Sequence, residues 1–209
     1  MQFALEPAIP ALELHKQHWH NCTRCPLHTF RHKVVLWRGY VPCDICFIGE
    51  APGEQEDNEG FPFVGPAGML LDDLIHDTLM ALDRDGETIH PTLAITNVVA
   101  CLPLENQLRP PTSEEIEACH PRLVEFLKLA KPKHVVMVGD IAKSSSLAAT
   151  LGQMPSAFLL PGERSLQVQT HNIIHPAAIL RSREHTATQT YLRTITKLME
   201  IFTDIEEAA

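Results

Sequence analysis

Four short apolar runs, separated by helix-like stretches, constrain the fold of this chain most strongly. They are ICFIG (45–49), LAITNVV (93–99), HVVMVG (134–139) and LQVQTHNII (166–174). Strands that read as nearly continuous apolar runs are buried on both faces, and strands that alternate with helices pair in parallel. The sequence therefore predicts an α/β protein with a mostly parallel, four-stranded sheet that helices cover on both faces.

Helical signals fill the intervals between these runs. Pro66 suits the first turn of a helix, and Thr112 with Glu115 gives the T-x-x-E pattern of a capping box. Pro121 is expected to kink or restart the helix that follows this box. A last helix is predicted over roughly 185–202. With 209 residues, 44% of them hydrophobic, we expect a single domain over residues 1–209.

The charge distribution bears on the partner of the protein. The net charge of -9 argues at first against nucleic acid, since binding to phosphates requires Lys and Arg. Residues 15–42, however, contain no Asp or Glu, and residues 171–197 contain a single acid, Glu184. Ordinary surface charge is the commoner interpretation of such segments, and the alternative that they allow is a polarised protein with one side that faces DNA.

The compartment follows from what the chain lacks. No basic segment followed by an apolar stretch opens the chain, and no apolar run is long enough to span a bilayer. We expect a cytoplasmic monomer that does not bind membranes. Thiols stay reduced there, so the six cysteines are expected to bind metal or pack in the core rather than form disulfides.

Two metal sites compete for the cysteines. The spacing C-x2-C-x17-C-x2-C is typical of a zinc ribbon, with the ligands Cys22, Cys25, Cys43 and Cys46. The alternative is an iron–sulfur cluster, with the ligands Cys22, Cys25, Cys101 and Cys119. Spacing favours zinc, whereas the position of Cys46 inside the first predicted strand favours the cluster.

The loop after the first strand combines glycines with acids. Residues 44–65 read DICFIGEAPGEQEDNEGFPFVG. Glycine-lined loops at this position usually hold phosphate, which carboxylates repel. In open α/β sheets the ligand lies at the carboxyl ends of the strands, so Asn97 and His175 are expected to join this loop at one crevice. Glu54 and Glu59 are expected to be solvated loop residues.

Long segments of the chain resemble one enzyme family. These are GEAPGEQEDNEGFPFVGPAGMLLDDLI, TNVVACLPLENQLRPPTSEEIEACHPRL and HPAAILR, with CTRCPLH upstream. In order, from about residue 22 to 195, they resemble the iron–sulfur uracil-DNA glycosylases called family 4. The resemblance implies a three-layer αβα sandwich and a [4Fe–4S] cluster on Cys22, Cys25, Cys101 and Cys119.

The resemblance also implies an activity in DNA repair. A pyrimidine, most simply uracil, is flipped out of DNA, and water attacks C1′ of its sugar to leave an abasic site. The implied catalytic residues are Glu50, Glu56, Asn106 and His175. The implied base-binding residues are Gly49, Ala51, Gly53, Phe63 and Asn97. The implied DNA contacts are Arg181 on a phosphate and Ile179 or Leu180 as an apolar wedge.

Departures from the family pattern leave two alternatives open. The chain reads CLPLENQ where the family commonly has C-R-P-P-x-N-R, and NIIHP where it has P-T-Y-H-P. One alternative is a glycosylase that excises a bulky pyrimidine, for example a hydroxymethylated or glucosylated one, from phage DNA in antiviral defence. The other, of a different class, is a non-catalytic DNA-binding module stabilised by metal.

Overall fold

The computed structural model describes residues 8–83, 90–105, 107–140 and 168–207. The strands are β1 (Trp37–Gly39), β2 (Ile45–Gly49), β3 (Leu93–Asn97), β4 (His134–Val138) and β5 (Gln169–Ile173). The helices are α1 (Ala8–Trp19), α2 (Glu54–Glu59), α3 (Pro66–Leu82), α4 (Ser113–Ala130), α5 (Pro176–Leu180) and α6 (Glu184–Glu207). A short 3-10 helix spans Pro26–Thr29.

The sheet has five strands in the order β1-β3-β2-β4-β5. The four predicted strands pair in parallel, as expected, although residues 166 and 167 of the fourth run lie outside the described residues. The prediction of only four strands is wrong, because β1 adds an antiparallel edge strand beside β3. With three residues and no apolar run, β1 carries too little periodicity for the sequence to reveal it.

Helices cover both faces of the sheet. Successive strand residues point to opposite sides, so β2, β3 and β4 each contribute to two cores. The core on the α4 side contains Cys46, Ile48, Ala94, Val135, Met137, Leu123 and Phe126. The core on the side of α3 and α6 contains Ile45, Phe47, Ile95, Val136, Leu74, Leu198 and Phe202. The three-layer αβα arrangement is thereby confirmed.

Helix α4 begins as predicted but does not restart at its proline. The side chain of Thr112 accepts the N–H of Glu115 at 3.3 Å, and the Glu115 carboxylate accepts the N–H of Thr112 at 2.8 Å. The helix then continues through Pro121 to Ala130. Pro121 has no backbone N–H to donate to the carbonyl one turn earlier in the helix. It lies on the exposed side of the helix, where water can form a hydrogen bond with that carbonyl instead.

In the described part of the chain, no helix is both long and apolar enough to cross a membrane.

Candidate active site

A cleft of about 880 Å³ lies at the carboxyl ends of β2, β3, β4 and β5. Eight of the residues implied as base-binding, catalytic or DNA-contacting line it: Glu50, Ala51, Gly53, Glu56, Phe63, Asn97, His175 and Arg181. These residues come from loops that are far apart in the sequence. The parallel sheet brings them together because all four strands end at the same edge.

Asn97 ends β3 with its amide facing this cleft and almost fully buried. Neither its Oδ1 nor its Nδ2 has a hydrogen-bond partner among the described residues. Gly49 is its neighbour in register on β2, and a Cβ atom on Gly49 would lie 2.5 Å from Asn97 Oδ1. A buried amide without partners is costly, so this donor and acceptor are available to a ligand in the cleft.

Phe63 forms one wall of the cleft in a constrained conformation. Its φ angle is 55°, a left-handed value that is rare for an aromatic residue. Arg38 donates from Nη2 to the Phe63 carbonyl at 3.2 Å. A Cβ atom on Gly68 would lie 2.0 Å from that same carbonyl oxygen, so only glycine fits there. The surrounding residues therefore hold the ring in place before any ligand arrives.

His175 lies beside Phe63 with its ring centroid 5.9 Å from that of the phenyl ring. It caps α5, and its Nδ1 accepts the N–H of Ala177 at 3.1 Å, which assigns the proton of the neutral ring to Nε2. Burial lowers the pKa of His175 below 6.5, and the charge of Arg181 lowers it further, against the opposite effect of Glu56. The imidazole is therefore neutral at pH 7, and Nε2–H is a donor.

The two implied catalytic acids differ in their surroundings. Glu56 accepts three backbone N–H groups, from Gly53 at 3.1 Å, Val64 at 3.0 Å and Gly65 at 2.8 Å. It fastens the glycine loop to the start of α3. Glu50 has no hydrogen bond or ion pair to its carboxylate from the described residues, and burial raises the pKa of this carboxyl. Glu50 is thus the acid that stays available to a ligand or a water.

The other acids of the loop have structural or solvated positions. Asp57 is buried and accepts the backbone N–H of His32 at 2.9 Å and of Lys33 at 3.3 Å. It joins α2 to the segment that precedes β1. Glu54 and Glu59 are exposed, which confirms the expectation that they are solvated. Of the five acids between residues 50 and 59, two therefore hold the loop itself, Glu56 and Asp57.

Four cysteines line a second, smaller cavity on the α4 side of the sheet: Cys22, Cys25, Cys101 and Cys119. The N–H of Ala100 donates to Cys119 Sγ at 3.3 Å, and Arg31 Nη1 donates to Cys101 Sγ at 3.6 Å. Burial raises the pKa of the Cys101 thiol to about 12, although Arg31 opposes this shift. The Cys101 thiol therefore needs a strong positive partner to become a thiolate.

The family was identified by comparison with known proteins. The family model described as the uracil DNA glycosylase superfamily matches residues 39–199. A type-4 uracil-DNA glycosylase of Pyrobaculum aerophilum is 36% identical over 167 residues, which cover 77% of this chain and 80% of that protein. The chain belongs to the type-4 uracil-DNA glycosylases.

Two further type-4 relatives extend the comparison. The type-4 uracil-DNA glycosylase of Thermotoga maritima is 34% identical over 189 residues, which cover 89% of this chain and 92% of that protein. The type-4 uracil-DNA glycosylase of Sulfurisphaera tokodaii is 43% identical over 131 residues, which cover 63% of this chain and 56% of that protein. Neither the bulky-base alternative nor the non-catalytic one finds support in these matches.

The cysteine cavity fits the cluster that the type-4 family implies better than it fits zinc. Among the described residues, no three His, Cys, Asp or Glu side chains form a group that could hold a metal ion, so the choice rests on which cysteines share a cavity. The cluster requires four thiolates around one space, and four cysteines line this cavity. Cys43 and Cys46, the other half of the zinc alternative, are buried in the core and do not line this cavity.

Three of the implied type-4 site residues lie away from the cleft wall. Ile179 is 5% exposed and packs in the core with α3 and α6, so the expectation that it reaches DNA as a wedge is not met. Leu180 is 52% exposed, so its side chain is accessible to act as the apolar wedge. Gly49 lies beneath the cleft, behind Asn97 and Phe63. Asn106 lies outside the described residues.

Reasoning from the sequence did not identify two arginines that organise this type-4 site. Arg38 holds the backbone of Phe63, and Arg122 lies buried beneath the end of β3. A signal for Arg122 was present, since it occupies the same apolar face of α4 as Leu123 and Phe126. A cation at a core position indicates a specific buried partner.

Proposed function

We propose that the protein hydrolyses the N-glycosidic bond between uracil and deoxyribose in DNA, with water attacking C1′, and leaves an abasic site. The observation that carries this proposal is the buried amide of Asn97, which lacks partners and faces a cleft beside a fixed aromatic ring. An enzyme that acts on a base must take it out of the stack and read its Watson–Crick edge in a pocket.

The base is read by Asn97 and stacked by Phe63. Uracil presents a carbonyl acceptor and an N–H donor on adjacent atoms of its edge. The Asn97 amide offers Nδ2–H to the first and Oδ1 to the second. The Phe63 ring supplies a flat apolar wall, and the absence of a side chain at Gly49 leaves the space that both residues occupy.

His175 stabilises the departing base. Cleavage of the bond leaves negative charge on the base, and a preorganised donor at that point lowers the barrier. Neutral His175 has its proton on Nε2, so Nε2–H can donate a hydrogen bond to the departing base. The bond from Ala177 to Nδ1 fixes this orientation.

Glu50 acts at the sugar. Positive charge builds on the deoxyribose as the bond breaks, and a carboxylate beneath it stabilises that charge and orients the attacking water. Glu50 has the free carboxylate for this role, while Glu56 maintains the shape of the loop. Asn106, which the resemblance also implies as a residue that orients water, remains part of the proposal.

DNA binds over the mouth of the cleft. Arg181 and Lys197 line the cleft and supply cations for phosphates on an otherwise acidic protein. Leu180 is the exposed apolar residue that fills the gap in the duplex after the base has left. The proposal includes a cytoplasmic location and a monomeric state, as expected from the sequence.

The four cysteines of the smaller cavity would hold a [4Fe–4S] cluster: Cys22, Cys25, Cys101 and Cys119. When bound, the cluster supplies strong bonds between segments that are distant in the sequence. The donors from Ala100 and Arg31 already point at two of the sulfurs. This cross-link would fix the segment after β3, which contributes Cys101 to the smaller cavity and Pro103 to the rim of the cleft.

A cleavage assay tests the proposed function. Oligonucleotides that carry uracil, hydroxymethylcytosine or glucosylated cytosine are incubated with the protein, and abasic sites are then cleaved with alkali. Cleavage at uracil alone is the expected result. Cleavage only at a modified cytosine would instead favour the bulky-base glycosylase, and binding to DNA without any cleavage would favour the non-catalytic module.

A further inference from the structure

Arg122 is a fully buried cation with an unusual set of partners. It is 1% exposed and is among the largest fully buried side chains. Its Nη1 donates to Thr96 Oγ1 at 3.0 Å, and its Nη2 donates to the carbonyls of Asn97 and of Val98, the latter at 2.9 Å. Among the described residues no carboxylate forms an ion pair with it, and its Nε has no partner.

A buried guanidinium without a counter-charge is expensive. Carbonyl oxygens satisfy its donors but do not neutralise its charge, and the loss of hydration costs several kcal/mol per ion. A compensating anion is therefore expected close to Arg122. The described part of the chain provides no carboxylate for this purpose, so the anion must come from another source.

The cysteine cavity provides the place for that anion. Arg122 lines the cavity together with the four cysteines. It follows Cys119 by three residues on α4, which places both side chains on the same face of the helix. A four-iron cluster with four thiolate ligands carries net negative charge, and such charge sets its reduction potential together with hydrogen bonds and solvent exposure.

We propose that Arg122 is a positioning residue that couples the cluster to the base pocket. The negative charge of the cluster holds the guanidinium, and the guanidinium holds the carbonyls of Asn97 and Val98. The Asn97 amide is thereby kept in the orientation that reads the base. This inference rests on the proposed function, since it requires both the cluster and the role of Asn97.

Through this coupling the cluster would contribute to recognition of the base by its negative charge. No electron transfer is required. When the cluster is lost, the charge of Arg122 loses its partner, and the guanidinium is no longer held against the end of β3. The effect passes from the cavity that Arg122 shares with the four cysteines, through the guanidinium, to the Asn97 backbone carbonyl that its Nη2 donates to. Discrimination for uracil should therefore depend on this side chain.

Two substitutions at Arg122 distinguish the effect of its positive charge from the effect of its planar set of N–H donors. Arg122→Lys keeps the positive charge but lacks the planar geometry that bonds several acceptors at once. Arg122→Gln keeps a donor but removes the charge. Arg24→Gln is the matched control, because Arg24 lines the same cavity but is exposed, so that solvent screens its charge.

The measurements are made on the protein with its cluster bound. One is the midpoint potential of the cluster, and the other is affinity for a duplex with 2′-fluoro-deoxyuridine, which resists hydrolysis, relative to the same duplex with 2′-fluoro-deoxycytidine, whose Watson–Crick edge differs from that of uracil. In Arg122→Gln the potential should fall, because a nearby cation favours the more negative, reduced cluster. In Arg122→Lys the potential should stay near that of the wild type, while the preference for uracil falls at least about tenfold, since hydrogen bonds from a charged donor are lost. Arg24→Gln should leave that preference unchanged.

Each outcome bears on the proposal separately. An unchanged potential in Arg122→Gln, or an unchanged preference for uracil in Arg122→Lys, would overturn it. Should the Arg122 variants fail to fold, Thr96→Val removes one acceptor of the guanidinium and leaves the charge in place. A reduced preference for uracil in Thr96→Val would then support the coupling, and an unchanged one would overturn it. A wild-type protein that does not prefer uracil at all would instead refute the proposed function.

Discussion

Gly49 and Asn97 lie opposite each other at the carboxyl ends of β2 and β3, and a Cβ atom on Gly49 would lie 2.5 Å from Asn97 Oδ1 and 2.5 Å from the Phe63 ring. In protein structures, Cβ atoms essentially never lie this close to a heavy atom of another residue. The absence of a side chain at Gly49 is therefore what allows the amide and the ring to meet. The proposed base pocket depends on this meeting.

The substitution Gly49→Ala should close the pocket without unfolding the protein. The added methyl group has to displace Asn97 or Phe63, so neither residue keeps the position that reads or stacks a base. We expect cleavage of uracil-containing DNA to fall by about 10²-fold or more, as when a preorganised donor is removed. Single-turnover kinetics and thermal unfolding, measured together, check this; full activity in a folded variant would show that the pocket lies elsewhere.

Asn97→Ala and His175→Ala should lower turnover more than they lower affinity for duplex DNA. Both residues act on the flipped base, and donors to a developing anion contribute about 10²–10³-fold to kcat. Cleavage rates and equilibrium binding to uracil-containing duplex are the measurements. The exposed residues Asn58 and His76 provide matched controls as Ala variants. Equal losses of rate and affinity would make the two residues binding or folding residues.

The fold was predictable to the extent that local patterns determine it. The apolar runs identified β2, β3 and β4 because each is buried on both faces; β5 was also identified, although only its last residue, Ile173, is buried. β1 was missed because three residues that pair at an edge leave no pattern. The behaviour at Pro121 depends on which side of α4 faces water, and that is a property of the packed structure.

The site was predictable only through the resemblance, and its internal roles were not. Nothing in the sequence distinguishes Glu50 from Glu56, yet one carboxylate is free and the other accepts three backbone N–H groups. Ile179 and Leu180 are adjacent aliphatic residues, and only the packing of α5 decides which is buried. Such distinctions arise from contacts between segments that are distant in the chain.

Activity should decline on the acid side of neutrality in two ionisations. Glu50 acts as a carboxylate. Because burial raises its pKa above the usual 4.5, it becomes protonated at a higher pH than an ordinary glutamate does. His175 acts in its neutral form, and its lowered pKa means that it keeps this form until below 6.5. The kcat/KM profile should thus be flat near pH 7 and fall on the acid side, with a slope that approaches two once the pH lies below both pKa values.

The variant Glu50→Gln tests the assignment of the acid limb. It should lower kcat/KM at pH 7 and leave a shallower acid limb, because only His175 then titrates. Glu54→Gln, at an exposed position of the same loop, is the control and should keep the wild-type profile. An acid limb that is identical in Glu50→Gln and the wild type would remove Glu50 from the mechanism.

The adjacent residues Leu180 and Ile179 should respond to truncation in opposite ways. Leu180→Ala should reduce cleavage of uracil in duplex more than in single-stranded DNA, with little effect on stability, since Leu180 is exposed. Ile179→Ala should lower the free energy of unfolding by about 2–5 kcal/mol, because it empties a core position. Chemical denaturation and cleavage of both substrates distinguish the two; equal loss on both substrates would exclude Leu180 as a wedge.

Iron content should depend on one set of cysteines. Purified protein is expected to be brown, with broad absorbance near ~400 nm from iron bound to sulfur. Cys101→Ser should lose iron and colour, because Cys101 lines the smaller cavity, whereas Cys43→Ser should keep both. Metal analysis and absorbance spectra are the measurements. A colourless protein that binds zinc and loses it in Cys43→Ser would instead establish the zinc ribbon.

The most direct test of the central claim is the structure of the protein bound to DNA that carries 2′-fluoro-deoxyuridine. We predict that the uracil lies outside the duplex, stacked on Phe63, with its edge bonded to the Asn97 amide and His175 Nε2 near its O2. A cleft that holds a phosphate group instead, or a uracil that stays paired within the duplex, would contradict the account.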